Sequence, residues 1–437
     1  METKLERISE LAEEDSDLKF TSLAHLLDEE NLKKCYRELD KDKAPGVDGE
    51  TWDEYGKDLD ENISDLVERL KAKRYWPRPV KRTYIPKEGK DEKRPIGIPA
   101  LEDKIVQLAV SKILTAIYEA DFLDISYGFR PKRGPHDALR ELNGTLMVGK
   151  VNWILDTDIK GFFDNVDHDW MMKFLGERIK DTTLLKLIVR FLKAGVMEEG
   201  KYCETEMGTP QGGNLSPILS NIYLHYVLDL WAKYVLRNKL DGYLKLIRFA
   251  DDFVLCFQDR REAKQSFKLL KERLAKFGLE LSEEKTRLIE FGRYAKDPGT
   301  FDFLGITHYC SKNLDGGFMV GHCTSAQKFK SKIKSLTDWL KSVTRSYHPS
   351  EWWNKLRAKL IGHFRYYGVS GNYSRLWRYR WLTVKALFKW LNRRSQRRSY
   401  TWESLQLYLK RHPLPKPRVY HNLFNGPVNG ECDWRAG

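Results

Sequence analysis

A chain of 437 residues with 41% hydrophobic and 12% aromatic residues is too apolar to be disordered and long enough for two or three packed units. Its net charge of +14 is uneven: residues 328–418 hold 23 Lys and Arg against three acids, a balance of +20, leaving −6 for the rest. A basic block on a mildly acidic body disfavours a uniformly sticky, ribosome-like protein and points to one polyanion-binding surface.

Six cysteines are scattered without a Cys-x-x-Cys pair or histidines at zinc spacing, so they read as reduced thiols. The first residues are charged from Glu2 onward, unlike a signal peptide. No apolar run reaches about 18 residues, so no membrane span and no membrane partner are expected, and a cytoplasmic location is.

Residues 1 to about 75 carry apolar side chains at helical spacing (Leu5, Ile8, Leu11; Leu59, Ile63, Leu66, Leu70), interrupted by a loop at Lys43–Gly49. A hairpin is expected next, extended over 80–86, turning at 87–90 and extended again over 94–99. Helical periodicity follows at 101–118 and 137–146. A short buried strand is expected within 151–163, and a helix-rich stretch over 168–195. The glycine-bearing loop 208–213 leads into a long helix ending near 238. Residues 246–257 form an apolar run broken by Asp251-Asp252, which reads as a β-hairpin. A helix at 261–277 and short strands to about 320 complete an irregular alternation, hence an α+β fold rather than a doubly wound one. After about 325 the composition shifts to helix formers, Trp and basic residues, and the Pro-, Gly- and Asn-rich residues 411–437 read as irregular.

Two adjacent carboxylates at the tip of an apolar hairpin are costly unless a cation neutralises them, and hard carboxylate oxygens suit Mg²⁺ or Mn²⁺. A plain turn that happens to carry Asp-Asp is the alternative. The stretch Trp153–Asp164 weighs against it, because strand alternation puts Asp156 and Asp158 on one face. An acid near a strand end and two acids on a hairpin are the parts of a two-metal phosphoryl-transfer site.

Seven ordered blocks then carry a family resemblance. Arg248-Phe249-Ala250-Asp251-Asp252 resembles the metal-binding hairpin of reverse transcriptases, and Asp158-Ile159-Lys160-Gly161-Phe162-Phe163-Asp164 resembles their first catalytic strand. The stretch Gly208–Pro217, Arg94–Pro99, Ser126–Pro131, Lys43–Gly49 and Phe303-Leu304-Gly305 are similar to further blocks of bacterial group II intron-encoded reverse transcriptase/maturases. The likeness continues through His363–Gly368.

The resemblance implies a right-hand polymerase: a helical N-terminal extension (1–75), fingers and palm (76–320), a basic helical thumb or maturase domain (325–400) and a short basic tail (401–437). It implies Asp158, Asp251 and Asp252 as catalytic carboxylates that bind two Mg²⁺ ions, with Mn²⁺ as a substitute and the backbone carbonyl of Ile159 as a further ligand. Asp156 is a competing choice, but the block aligns through Asp158. Lys87, Arg94, Phe163, Gln211 and Lys285 would contact the nucleotide. Among these, Phe163 would be the gate that excludes a 2′-hydroxyl, and Lys285 would assist the leaving pyrophosphate. In the 208–213 loop, Gly212 and Gly213 would let Gln211 lie close to a nucleotide. A core aromatic at Phe163, a plain turn at Gln211 and a surface lysine at Lys285 are the alternatives. Phe249 stands where this family usually has Tyr; its ring would still meet the primer, without the hydroxyl's hydrogen bond. Arg130, Gly305, Arg365, Arg393, Arg394, Arg397 and Arg398 would join Phe249 in binding nucleic acid.

The implied partners are group II intron RNA, an RNA template with a DNA or RNA primer, deoxynucleotides and a DNA target, for a bacterial monomer or homodimer. The tail carries no His-Asn-His or paired-cysteine endonuclease pattern, so target cleavage is not expected of this chain. Two other readings stay open: a free-standing relative serving DNA repair or defence, and a non-catalytic RNA-binding splicing factor. The full set of carboxylates and fingers cations speaks against the last.

Overall fold

The computed structural model describes residues 2–86, 93–148, 150–198, 200–209, 212–393 and 400–424. The chain opens with helices α1 (Glu2–Glu14), α2 (Glu29–Glu38), α3 (Trp52–Tyr55) and α4 (Leu59–Lys71). Local chemistry fixes the starts of α2 and α3. Asp28 accepts the Asn31 N–H at the head of α2, and Thr51 with Glu54 forms a reciprocal capping box on α3. The Lys43–Gly49 loop is held from the helix at 101–118, where Lys104 Nζ donates to the Ala44 carbonyl at 2.8 Å.

Strands β1 (Val80–Pro86) and β2 (Lys93–Ile98) form the expected antiparallel hairpin, with Arg94 opposite Ile85. Helix α5 (Leu101–Tyr118) follows, with Ile105, Val106, Ala109, Val110, Ile113, Leu114 and Ile117 fully buried. Helix α6 (Pro135–Val148), strand β3 (Trp153–Asp158), helices α7 (His168–Arg178) and α8 (Thr182–Leu192) and strands β4 (Val196–Glu198) and β5 (Lys201–Cys203) come next. The long helix begins as α9 (Ser216–Leu224) and continues through wider π-helical turns at His225–Asp229 and Ala232–Leu236.

Strands β6 (Leu244–Phe249) and β7 (Asp252–Phe257) are the Asp-Asp hairpin, followed by α10 (Arg260–Ala275) and β8 (Arg287–Glu290). They make a central sheet in the order β6-β7-β3-β8, while the early hairpin joins β4 and β5 in the order β2-β1-β4-β5. A third sheet contains β9 (Thr300–Phe303), β10 (Ile306–Lys312) and β11 (Phe318–Thr324). Within it, His308 and His322 face each other across β10 and β11, both fully buried. The chain then runs as α11 (Ala326–Ser346), α12 (Pro349–Tyr367), α13 (Tyr373–Leu391) and α14 (Trp402–Arg411). Among the described residues no helix is long and apolar enough to cross a membrane.

The central sheet is buried on both faces, which explains the unbroken apolar run in β7. Phe253, Leu255 and Phe257 enter one core with the N-terminal helices, α5 and α7–α9. Val254 and Cys256 enter a second core with α6, the third sheet and α11–α13. Each such large side chain contributes about 1.5–3 kcal/mol by leaving water. The basic C-terminal helices therefore share a core with the carboxylate-bearing sheet.

Candidate functional site

The β3–β7 register sets Asp158 directly opposite Asp252, at the ends of two adjacent central strands. Asp251 sits in the β6–β7 turn beside Ala250, whose φ of 57° is left-handed and unusual for a residue other than glycine. A buried guanidinium holds that turn. Arg248 donates to the Ala250 carbonyl at 2.9 Å, to Asn221 Oδ1 at 3.0 Å and, through Nε, to Asp229 Oδ1 at 2.8 Å. Arg248 and Asp229 are both fully buried, and Asp229 comes from the π-helical turn after α9. Sequence reading placed Arg248 in the motif without a role and missed Asp229 and Asn221 altogether. Spacing gives no signal for them.

The Ser126–Pro131 block braces the same turn from the side. Arg248 N–H donates to the Ile125 carbonyl and Tyr127 N–H to the Arg248 carbonyl, at 2.8 and 2.9 Å. This seats Gly128 against Ala250 so closely that a Cβ there would collide with the Ala250 backbone nitrogen. Arg130 departs from expectation. Its side chain is 2% exposed, pairs with Glu119 at 2.8 Å and donates to the carbonyls of Leu123 and Ser126. With its fork committed to these acceptors, Arg130 is a structural clamp and not a nucleic-acid contact. Its neighbour Phe129 is 58% exposed, its ring 6.5 Å from the half-buried ring of Phe249.

The carboxylates repel one another in a partly dry setting. Burial raises the Asp252 carboxyl to about 7, reinforced by Asp156, Asp251 and Asp158. Burial also raises Asp251, with Asp158 adding to the effect. Asp156 is raised by burial but leans on Arg287 at 3.1 Å, and Asp158 forms an ion pair with Lys285. Among the described residues no three His, Cys, Asp or Glu side chains close into a cage by themselves. Clustered, like-charged carboxylates nevertheless fit a divalent cation. Mg²⁺ in particular takes one or two protein carboxylates and completes its shell with water and substrate phosphates. Ile159 follows Asp158 directly, its side chain buried and its backbone bridged to Leu281.

Asp252 opens onto a cleft of about 1080 Å³. The cleft is also lined by Arg94 and Ile96 of β2, by Lys285 and Gly305, by Lys328 and Lys332 of α11, and by Lys359 and Tyr366 of α12. The three cations on α11 and α12 were not singled out individually from sequence. Successive β2 residues face opposite ways. Pro95 and Gly97 therefore line a separate cleft of about 340 Å³ together with Phe163, Arg82 and residues 203–209. Phe162 is buried core, whereas Phe163 is half-exposed, and the Thr209 N–H fixes its backbone by donating to the Phe163 carbonyl at 2.7 Å.

Gly212 and Gly213 of this loop mark close contacts. A Cβ on Gly212, at φ 114°, would lie 2.6 Å from the Gly97 carbonyl oxygen, and one on Gly213 equally close to Gln107 Oε1. They let the loop press on β2 and α5. Arg365 is exposed on α12, and its carbonyl meets His421 Nε2 at 3.1 Å. Arg393 is exposed at the end of α13, its guanidinium 5.5 Å from the Trp390 ring centre. Lys87, Gln211, Arg394, Arg397 and Arg398 lie outside the described residues.

Residues 85–308 match the model of the reverse transcriptase (RNA-dependent DNA polymerase) family, a span that contains β2, all three carboxylates and Gly305. The chain is 35% identical to the group II intron-encoded protein LtrA of Lactococcus lactis subsp. cremoris, over 67% of this chain and 58% of that protein. It is 39% identical to protein YkfC of Escherichia coli strain K12, over 42% of this chain and 48% of the relative. It is 30% identical to a putative COX1/OXI3 intron 2 protein of Saccharomyces cerevisiae, over 51% and 24%. The chain thus spans less than two thirds of the length of these relatives. With more than half of its residues inside the family model, the chain belongs to the reverse transcriptase (RNA-dependent DNA polymerase) family.

Proposed function

We propose that this chain is an RNA-directed DNA polymerase of group II intron type, which copies primed RNA into DNA and binds intron RNA to assist splicing and retrohoming. The observation that carries this reading is the pairing of Asp158 with Asp252 beside Asp251, where Asp252 lines a cleft rich in cations. In this reading residues 76–320 are fingers and palm, 325–400 the thumb or maturase domain, and 1–75 an N-terminal extension.

Asp158, Asp251 and Asp252 would hold two Mg²⁺ ions. When bound, these would supply activation of the primer 3′-hydroxyl and neutralisation of charge on the leaving phosphate oxygen. The chain's own side chains do the rest. Arg94 reaches the cleft from β2 and offers two parallel donors to a phosphate. Lys285, released from Asp158, places a cation beside the departing pyrophosphate. Phe163 stands beside the fingers hairpin, where its ring would exclude a 2′-hydroxyl. Phe249 and Phe129 present apolar surface beside the carboxylate turn, suited to the primer end. Lys328, Lys332 and Lys359 line the cleft where the duplex backbone would pass.

The test is extension of a labelled DNA primer on an RNA template by the purified chain with Mg²⁺ and deoxynucleotides. Full-length cDNA is the expected product. No extension with either Mg²⁺ or Mn²⁺ would overturn the polymerase reading and leave an RNA-binding protein. Accelerated splicing of a group II intron RNA on addition of the chain tests the maturase part.

A further inference from the structure

Helix α13 is buried on one side only. Tyr379 points inward and lines the carboxylate cleft, in company with Leu376, Val384 and Leu387 in the core. On the other side, Tyr373, Trp377 and Trp381 recur every fourth residue and are 46%, 39% and 49% exposed. At helical spacing, Trp377 and Trp381 each lie about 160° around the axis from Tyr379, and the three rings cover about 12 Å of it. Trp377 and Trp381 therefore face away from the cleft.

Cations are interleaved with these rings. Lys385 Nζ sits 3.6 Å from the Trp381 ring centre, and the Arg380 guanidinium 5.4 Å from that of Trp377. Arg378 is exposed beside them. In total α13 carries five Lys or Arg and no acid over 19 residues. Large aromatic rings left in water mark an interaction surface. Rings alternating with cations match a single nucleic-acid strand, whose bases offer a stacking face of any sequence and whose phosphates need neutralising. A second copy of the chain suits this face poorly, because a symmetric contact would set two acid-free cationic stripes against each other.

We propose that the outer face of α13, formed by Tyr373, Trp377 and Trp381 with Arg378 and Lys385, is a stacking platform for an unpaired RNA strand. It is separate from the cleft that Asp252 lines. The inference rests on the RNA-handling reading above for the identity of its ligand, but its test is independent of catalysis.

The experiment uses the full chain and its Trp377→Ala/Trp381→Ala variant, with Trp377→Phe/Trp381→Phe as the conservative control. Fluorescence anisotropy measures affinity for an unstructured RNA of about 15 nucleotides, within the usual span of such platforms, and for an RNA duplex of equal length. The alanine pair should weaken unpaired-RNA binding about tenfold or more. Duplex binding and primer extension should stay within about twofold of the parent, and the phenylalanine pair should restore most of the loss. Unchanged unpaired-RNA affinity in the alanine pair would overturn the proposal, as would equal losses for both RNAs. A parent dimer that becomes monomeric in the alanine pair at unchanged RNA affinity would assign the face to self-association instead. Absence of extension in parent and variants alike would count against the polymerase reading and leave this binding result standing.

Discussion

Arg248 and Asp229 form a fully buried ion pair, two bonds deep at 2.8 and 2.5 Å, and the same guanidinium closes the carboxylate turn through the Ala250 carbonyl. Removing one partner strands a buried charge, which costs about 3–5 kcal/mol. Asp229→Ala should therefore lower the urea midpoint sharply. Replacing both by apolar residues, Arg248→Met with Asp229→Leu, should recover much of that stability while primer extension stays low, because the Ala250 carbonyl then loses its guanidinium donor. A stable double variant that extends primers like the parent would show that the pair only supports the fold.

Phe163 tests the sugar gate. Its ring is half-exposed beside Pro95 and Gly97, while Phe162 is buried core. Phe163→Ala should raise incorporation of ribonucleotides relative to deoxynucleotides with only a modest loss of rate on the latter. An unchanged preference in competition assays would remove Phe163 from that role.

The buried His308 and His322 pair predicts acid sensitivity. Burial lowers His322 to about 4 and His308 well below its ordinary value, with the two rings 5.1 Å apart. Both are neutral when folded and protonate near 6.5 when unfolded, so unfolding takes up protons. Their contribution is complete above about 6.5 and is lost as pH falls toward 4, at up to about 1.4 kcal/mol per pH unit for each ring. Thermal midpoints should fall across that window, and His322→Leu should flatten the profile. A parallel profile in that variant would place the acid sensitivity elsewhere.

Much of this site was readable before any fold was known, and the reasons are local. Asp251-Asp252 between apolar runs specifies a hairpin tip, and two-residue alternation puts Asp156 and Asp158 on one strand face. What escaped depends on long-range partners. Arg130 has the composition of a surface cation, but Glu119 and three carbonyl groups consume its fork. The partner of Arg248 lies 19 residues upstream on a π-widened turn, where the usual helical periodicity no longer tells which side faces the sheet. Gly212 and Gly213 signal close approach, yet sequence could not name β2 and α5 as surfaces approached.

The carboxylates themselves provide the most direct test. Asp251→Asn with Asp252→Asn keeps the size of both side chains and removes their charge from the turn opposite Asp158. The account predicts that this variant folds, binds intron RNA as tightly as the parent through the intact basic helices, and makes no cDNA on a primed RNA template with Mg²⁺. Extension at a rate comparable with the parent's would contradict the central claim that DNA synthesis takes place at these residues.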